Sequence, residues 1–402
     1  MHRTIGIIAT LDTKGDEVEY LKKKIEEKGC STVVIDLGTL GNSQIKADIS
    51  REMVAEAGGK TLKELIESEF VRKNTDRVDT AKVMIQGGVN IVKKLYHTGK
   101  LHGIISLGGS SGTTIGIAIM KELPIGAPKL MISTYLFSDI IGEEYITIMQ
   151  TPADILGLNR VMKQTFAQAA AAIVGMVGAN IPEDKVRPLI GITALGVTTP
   201  AVMKIKSLLE KKKYEVIAFH NKSKTLDKLV EEGSIEGIID LTTNELVKIF
   251  IMKTLLNRED RLELAGKRGL PQIIVPGGLD MLIFRGTEQN IPAKFRNRKL
   301  CRHGSYVTLA RTSIKENEEL GRIIAERANQ ARGPIAIVIP MRGFSARDKQ
   351  GEVFYDPEID KSFTKTVRNY AKDHVRVIEI DAHINVDKFA KEIVDIFINL
   401  LK

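Results

Sequence analysis

Residues 103 to 123 read GIISLGGSSGTTIGIAIMKEL. The run GIISL is short, apolar and β-branched, as suits a strand buried on both faces, and TTIGIAIMKEL continues at helical spacing. Between them Gly108, Gly109 and Gly112 stand among Ser110, Ser111, Thr113 and Thr114. That is a strand-turn-helix unit whose turn lets backbone N–H groups approach a bound anion closely, with a helix N-terminus behind them. It is not a Walker A loop, because GGSSGTT lacks the GK[ST] ending, and not a dinucleotide fingerprint, which belongs after the first strand of such a fold.

The same rhythm extends in both directions. TIGIIAT, TVVIDLG, KLMISTY and YITIM are further strands of the first half; PLIGITA, EVIAFH, GIIDLT, QIIVPGG, IAIVIPM and VRVIEID are those of the second. Strands alternating with helical stretches predict an α/β fold with mostly parallel sheets. GANIPEDKVRP, residues 178 to 188, supplies the joint. For a chain of 402 residues the expectation is two Rossmann-like doubly wound domains, 1–182 and 183–402, with an interdomain cleft. The Ala-rich helix RVMKQTFAQAAAAIVGMVG, apolar on most faces, is expected to be buried between domains or in a dimer interface.

Lys plus Arg outnumber Asp plus Glu by 59 to 50, but the cations lie in mixed segments such as KELIESEFVRKNTDR. With 5% aromatic residues and no Trp, the chain is expected to bind no nucleic acid and to prefer small anions. Cys30 and Cys301 form no framework, which suits a reducing cytoplasm, and no apolar run approaches the roughly 18 to 20 residues of a membrane span.

Ligands of open parallel sheets bind beyond the carboxyl ends of the strands. After the first strand, Thr10, Asp12, Thr13 and Lys14 suit a phosphate or metal-bound phosphate; after the fourth come Ser133 and Thr134. Asp36 ends the second strand like a ribose-binding acid, yet a single glycine in the preceding turn disfavours NAD. Thr151 reads as a helix N-cap, and Thr242 with Glu245 as a capping box. In the second half PMRGFSARD opens a long loop of the kind that serves as a lid. Arg342 sits there, and Asp381, His383 and Asn385 alternate onto one face of an extended chain, a candidate acid-base group. His220 and His303 are weaker candidates. HxxxH and CxxC spacings are absent, so an expected metal is Mg²⁺ held by phosphate and carboxylate oxygens.

Taken in order, ATLDTKGDE, DISREMVAEAGG, GGSSGTT, LPIGAPKLMIST, DILGLNR, GVTTP, DLTTNEL, GGLDML, RGFSARD and DAHIN resemble, across essentially the whole chain, the ATP-binding family typified by the plant tobamovirus-resistance protein. The resemblance implies ATP with Mg²⁺, a homodimer, and nucleotide contacts at Thr10, Asp12, Thr13, Lys14, Gly108, Gly109, Ser110, Gly112, Thr113 and Thr134. Ser111 replaces a glycine usual in the turn, and Tyr135, Leu136 and Phe137 are bulky where that family commonly has small residues. Three functions fit: an ATP-using enzyme with Arg342, Asp381 and His383 as its catalytic group, a nucleotide-responsive protein without turnover, or an ATP-independent hydrolase or lyase acting on a small acidic or sugar-acid substrate.

Overall fold

Ile5, Ile7 and Ile8 are all fully buried, so neither face of the first strand meets solvent. That requires helices on both sides of a sheet. The computed structural model describes residues 3–43, 45–71, 77–135, 145–179, 187–220, 224–254 and 258–402. It divides into two compact units, Met1–Glu183 and Asp184–Lys402.

The first unit holds strands β1 (Thr4–Ala9), β2 (Ser31–Asp36), β3 (Gly103–Gly108), β4 (Lys129–Ser133) and β5 (Thr147–Gln150) in one parallel sheet of order β2-β1-β3-β4-β5. Its helices are α1 (Leu11–Glu26), α2 (Arg51–Ala57), α3 (Leu62–Val71), α4 (Arg77–His97), α5 (Ser110–Met120) and α6 (Arg160–Gly178). One core joins the sheet to α1 and α6 through Leu21, Ile25, Phe166 and Ile173. The opposite core joins it to α2, α4 and α5 through Val54, Met84, Val92 and Ile117. Helix α6 buries Met162, Phe166, Ala169 and Ile173 and exposes Ala171 and Gly175, so its alanines are split between core and surface.

The second unit repeats the plan. Strands β6 (Leu189–Ala194), β7 (Glu215–His220), β8 (Gly237–Thr242), β9 (Gln272–Gly277), β13 (Ile335–Pro340) and β14 (Arg376–Ile380) form a parallel sheet of order β14-β13-β9-β8-β6-β7. A separate antiparallel sheet, β10 (Met281–Arg285), β11 (Leu300–Arg302) and β12 (Val307–Arg311), has the order β10-β12-β11. Helices α7 (Thr199–Lys211) and α12 (Asp387–Leu400) cover one face through Ile205, Phe389 and Phe397. The remaining helices are α8 (Lys224–Glu231), α9 (Leu264–Lys267), α10 (Ile314–Ala328) and α11 (Pro357–Tyr370), with a π-helical turn at Val247–Ile251. Of these, α10, α11 and the π turn pack on the other face through Ile324, Phe363 and Val247.

Some local expectations are corrected. Residues 151–159 are not helical: Thr151 Oγ1 donates to the Ala153 carbonyl, and the cap of α6 is Asn159, whose Oδ1 accepts from Val161 and Met162 N–H, both at 3.0 Å. Thr242 and Glu245 make no capping box. The Thr242 hydroxyl lies 2.7 Å from that of Thr198, and Glu245 pairs with Arg261.

Candidate functional site: an amide-lined cavity in the first unit

Strands β1 and β3 are neighbours, but the chain leaves β1 toward β2 on one side and β3 toward β4 on the other. The turns diverge, and a crevice opens between them. There a cavity of about 390 Å³ is walled by Thr10, Asp12, Thr13 and Lys14 on one side and by Gly108 to Gly112 on the other. Helix α5 has Gly109 as its N-cap, in extended backbone and without a side-chain cap, and its first intrahelical bond runs from Thr113 N–H to the Gly109 carbonyl, 2.8 Å. The amides of Ser110, Ser111 and Gly112 therefore lie ahead of any acceptor in their own helix, at its positive end.

The glycines divide by cause. A Cβ on Gly108 would sit 2.8 Å from the Gly112 Cα, so packing alone demands glycine there. A Cβ on Gly109 or Gly112 would meet nothing nearer than 3.7 Å and 3.6 Å, and neither residue has a positive φ. Within a helix Gly112 costs roughly 0.5–1 kcal/mol relative to alanine. The protein's own packing offers no return for that cost, and both glycines border the cavity.

The facing wall is ordered by acids. Asp36 is buried and accepts from Leu11 N–H (3.0 Å), Gly38 N–H (2.8 Å) and the Ser43 hydroxyl, so the residue at the ribose-acid position holds the turn together. Asp12 Oδ2 accepts from Leu40 N–H at 3.0 Å and Gly41 N–H at 3.2 Å, while its buried Oδ1 has no partner. The Thr10 and Thr13 hydroxyls lie 3.1 Å apart. Lys14, whose φ of −131° and ψ of 23° break α1 after its first turn, donates from its ammonium to the Ile155 carbonyl. Thr80 on α4 also borders the cavity; it is 4% exposed, and its hydroxyl has no partner. Leu37, Met84 and Ile115 give the cavity an apolar end.

Eight of the ten nucleotide contacts expected from the sequence border this cavity: Thr10, Asp12, Thr13, Lys14, Gly108, Gly109, Ser110 and Gly112. Two are not part of its lining. Thr113 is buried, with its hydroxyl 2.7 Å from that of Ser133, and Thr134 donates its N–H to the Gly108 carbonyl at 3.3 Å. Ser111 is part of the lining, and Tyr135 is 56% exposed; Leu136 and Phe137 lie outside the described residues. Thr80 and Met84 escaped sequence reading because they sit within a helix, where strand-end reasoning does not look.

In the second unit Arg342 and Asp381 pair with each other, while His383 is bonded to backbone groups. Arg342 forms a two-pronged pair with Asp381, at 2.6 and 2.8 Å, with both side chains exposed. Burial lowers the pKa of His383, and its two ring nitrogens are engaged by backbone: Nδ1 accepts from Asn385 N–H at 3.2 Å and Nε2 lies 2.8 Å from the Ser345 carbonyl. An accepting Nδ1 fixes the proton on Nε2. The expected alternation of residues 381, 383 and 385 fails because β14 ends at Ile380. Asn385 instead reaches α7, accepting from Ala201 N–H at 3.3 Å.

The loop after β13 is packed rather than free. Phe344, Ser345 and Asp348 are fully buried, and Ser345 Oγ donates to Asp280 at 2.7 Å. At the carboxyl ends of β6 and β8, topologically equivalent to the cavity of the first unit, Thr193 Oγ1 donates to the Thr242 carbonyl at 2.9 Å, beside the Thr198–Thr242 hydroxyl pair. Among the described residues no group of three or more His, Cys, Asp or Glu side chains is placed to hold a metal ion, and no helix is long and apolar enough to cross a membrane.

Two family models account for nearly all of the chain: the N-terminal domain of the uncharacterised protein family UPF0261 matches residues 3–182, and the C-terminal domain of the same family matches residues 187–401. The chain belongs to the UPF0261 family. A UPF0261 protein of Clostridium tetani is 39% identical, with 100% of each chain covered, and one of Brucella suis is 31% identical over 98% of this chain and 94% of its own. The ToMV resistance protein Tm-1(GCR237) of Solanum lycopersicum is 33% identical over 75% of this chain, which spans 42% of the tomato protein. Among solved structures, that of Acinetobacter baumannii MurG aligns over 99% of this chain and 100% of its own at 9% identity, with a TM-score of 0.20.

Proposed function

We propose that this UPF0261 member is a nucleotide-binding protein whose first unit seats the phosphates of ATP on the amides of Ser110, Ser111 and Gly112. The observation that carries the reading is the pair of glycines, Gly109 and Gly112, which border the cavity and are not required by packing. Three further features support it. Lys14 supplies a cation beside the amides, Thr80 brings an unpartnered buried hydroxyl, and Leu37, Met84 and Ile115 form an apolar end suited to a base. The resemblance noted in the sequence names ATP among nucleotides. Mg²⁺ would arrive with the phosphates, and Asp12 Oδ1 is the carboxylate oxygen without a partner that could face it. No reaction is assigned, because Arg342, Asp381 and His383 border neither this cavity nor the recess described below.

Calorimetry of the full chain with MgATP tests the reading. Binding is expected, and Gly109→Val should abolish it while thermal unfolding stays near wild type, since the valine Cβ has room within the protein. Unchanged affinity in that variant, or no binding by the wild-type chain, overturns the proposal. At about 100 times its dissociation constant the ligand should stabilise the fold by roughly 2.7 kcal/mol.

A further inference from the structure

The second unit carries its own recess, of about 600 Å³, beside the carboxyl end of β6. One side is the turn after β6, with Leu195, Gly196 and Val197, together with His220 at the end of β7 and Lys248 and Met252 near the π-helical turn. The other side is the small antiparallel sheet. Ile283 pairs with Leu309 and Arg285 with Val307, so alternate residues of β10 and β12 share a face. That face enters the recess, while Leu282 and Ala310 on the opposite face complete the main core. On the recess side Met281 and Leu309 are themselves buried in a small core with Val197 and Phe354, and Leu195, Ile283 and Val307 pack at its edge, half-buried.

The charges are one-sided. His220, Lys248, Arg285 and His303 are the ionisable residues around the recess, and no Asp or Glu accompanies them among its described lining residues. Apolar walls of Leu195, Met281, Ile283 and Leu309 lie beneath this basic ring. A polyphosphate would gain little from those walls, a sugar would find few acceptors, and a cation would be repelled. A molecule with an apolar body and a single negative head satisfies both halves.

We infer that this recess is a binding site for an amphipathic carboxylate: a carboxyl group held by Arg285 and its basic neighbours, with an aliphatic or small aromatic body lying between Met252, Met281, Ile283 and Leu309. The inference is independent of the nucleotide reading, since no residue is shared between the two cavities.

The test uses the full chain, with octanoate as probe, octan-1-ol as its uncharged counterpart and inorganic phosphate as the bare anion. Octanoate is expected to bind saturably and to shift the methyl resonances of Met252 and Met281, with affinity about tenfold above that of octan-1-ol, the difference one good charge-assisted contact makes. Arg285→Ala, at an exposed position, should weaken octanoate at least about fivefold and leave octan-1-ol unchanged. Ile283→Phe should weaken both by filling the recess, and saturating MgATP should alter neither. Absence of methyl shifts, equal affinity for octanoate and octan-1-ol, phosphate producing the same methyl shifts, or unchanged octanoate binding by Arg285→Ala would each overturn the inference.

Discussion

Arg311 and Asp360 are held 2.6 Å apart inside the second unit, and the same guanidinium lies 3.7 Å from Asp348. Asp280 is buried in the same cluster, so three carboxyl groups share one cation. Burial, reinforced by the neighbouring Asp348 carboxylate, pushes Asp280 up to about 7 and Asp360 up to about 8, and burial raises Asp348 despite Arg311.

The sign of the pH dependence follows. The folded state keeps protons on these acids at pH values where the unfolded chain has released them, so stability present at low pH is lost as pH rises through the folded values. Urea midpoints should therefore fall between pH 5.5 and pH 8.5, by an equivalent of at least about 1 kcal/mol. Asp360→Asn should flatten the slope. A midpoint that holds steady or rises over that range would refute this account.

Arg261 lies between Asp240 and Glu245, all three nearly inaccessible, and burial pushes Glu245 up to about 7. Arg261→Met would leave two buried carboxyl groups without their cation, and chemical denaturation should show a loss of about 3–5 kcal/mol. The exposed Arg342–Asp381 pair provides the contrast. Arg342→Ala should leave the denaturation midpoint close to that of the wild type.

Gly112 separates stability from binding. Gly112→Ala should stabilise the fold by about 0.5–1 kcal/mol, because the helix gains a better residue and the new methyl meets only ordinary contacts. Calorimetry should show MgATP affinity falling at least tenfold in the same protein. Gly108→Ala, crowded against the Gly112 backbone, should instead lower stability by about 1–3 kcal/mol.

Both ring nitrogens of His383 are engaged by backbone groups. His383→Ala would leave the Ser345 carbonyl and Asn385 N–H unpaired and should destabilise by about 1–3 kcal/mol in denaturant titration.

The parallel strands were legible because each is a short apolar run buried on both faces, and a buried run leaves little else for its residues to become. The amide turn was legible for a related reason: glycines clustered at a strand end have few other uses. What escaped was whatever depends on distant partners. The strands β10 to β12 lie amid Gly, Asn, Lys and Arg, and their apolar residues alternate too briefly to stand out. Asp381 and His383 suggested a catalytic pair by spacing alone, yet the strand stops one residue short of them. Thr80 offered no local signal, since only folding carries its helix to the glycine turn.

The antiparallel ribbon of the second unit has an evolutionary corollary. Both halves share a sheet order that places the first strand's turn at the same point, and in the second half the recess there is bordered by an added antiparallel ribbon. Sequence drift on such an appended ribbon can reshape a receptor without disturbing the scaffold beneath it, which frees descendants of one architecture to diversify one pocket while conserving the other.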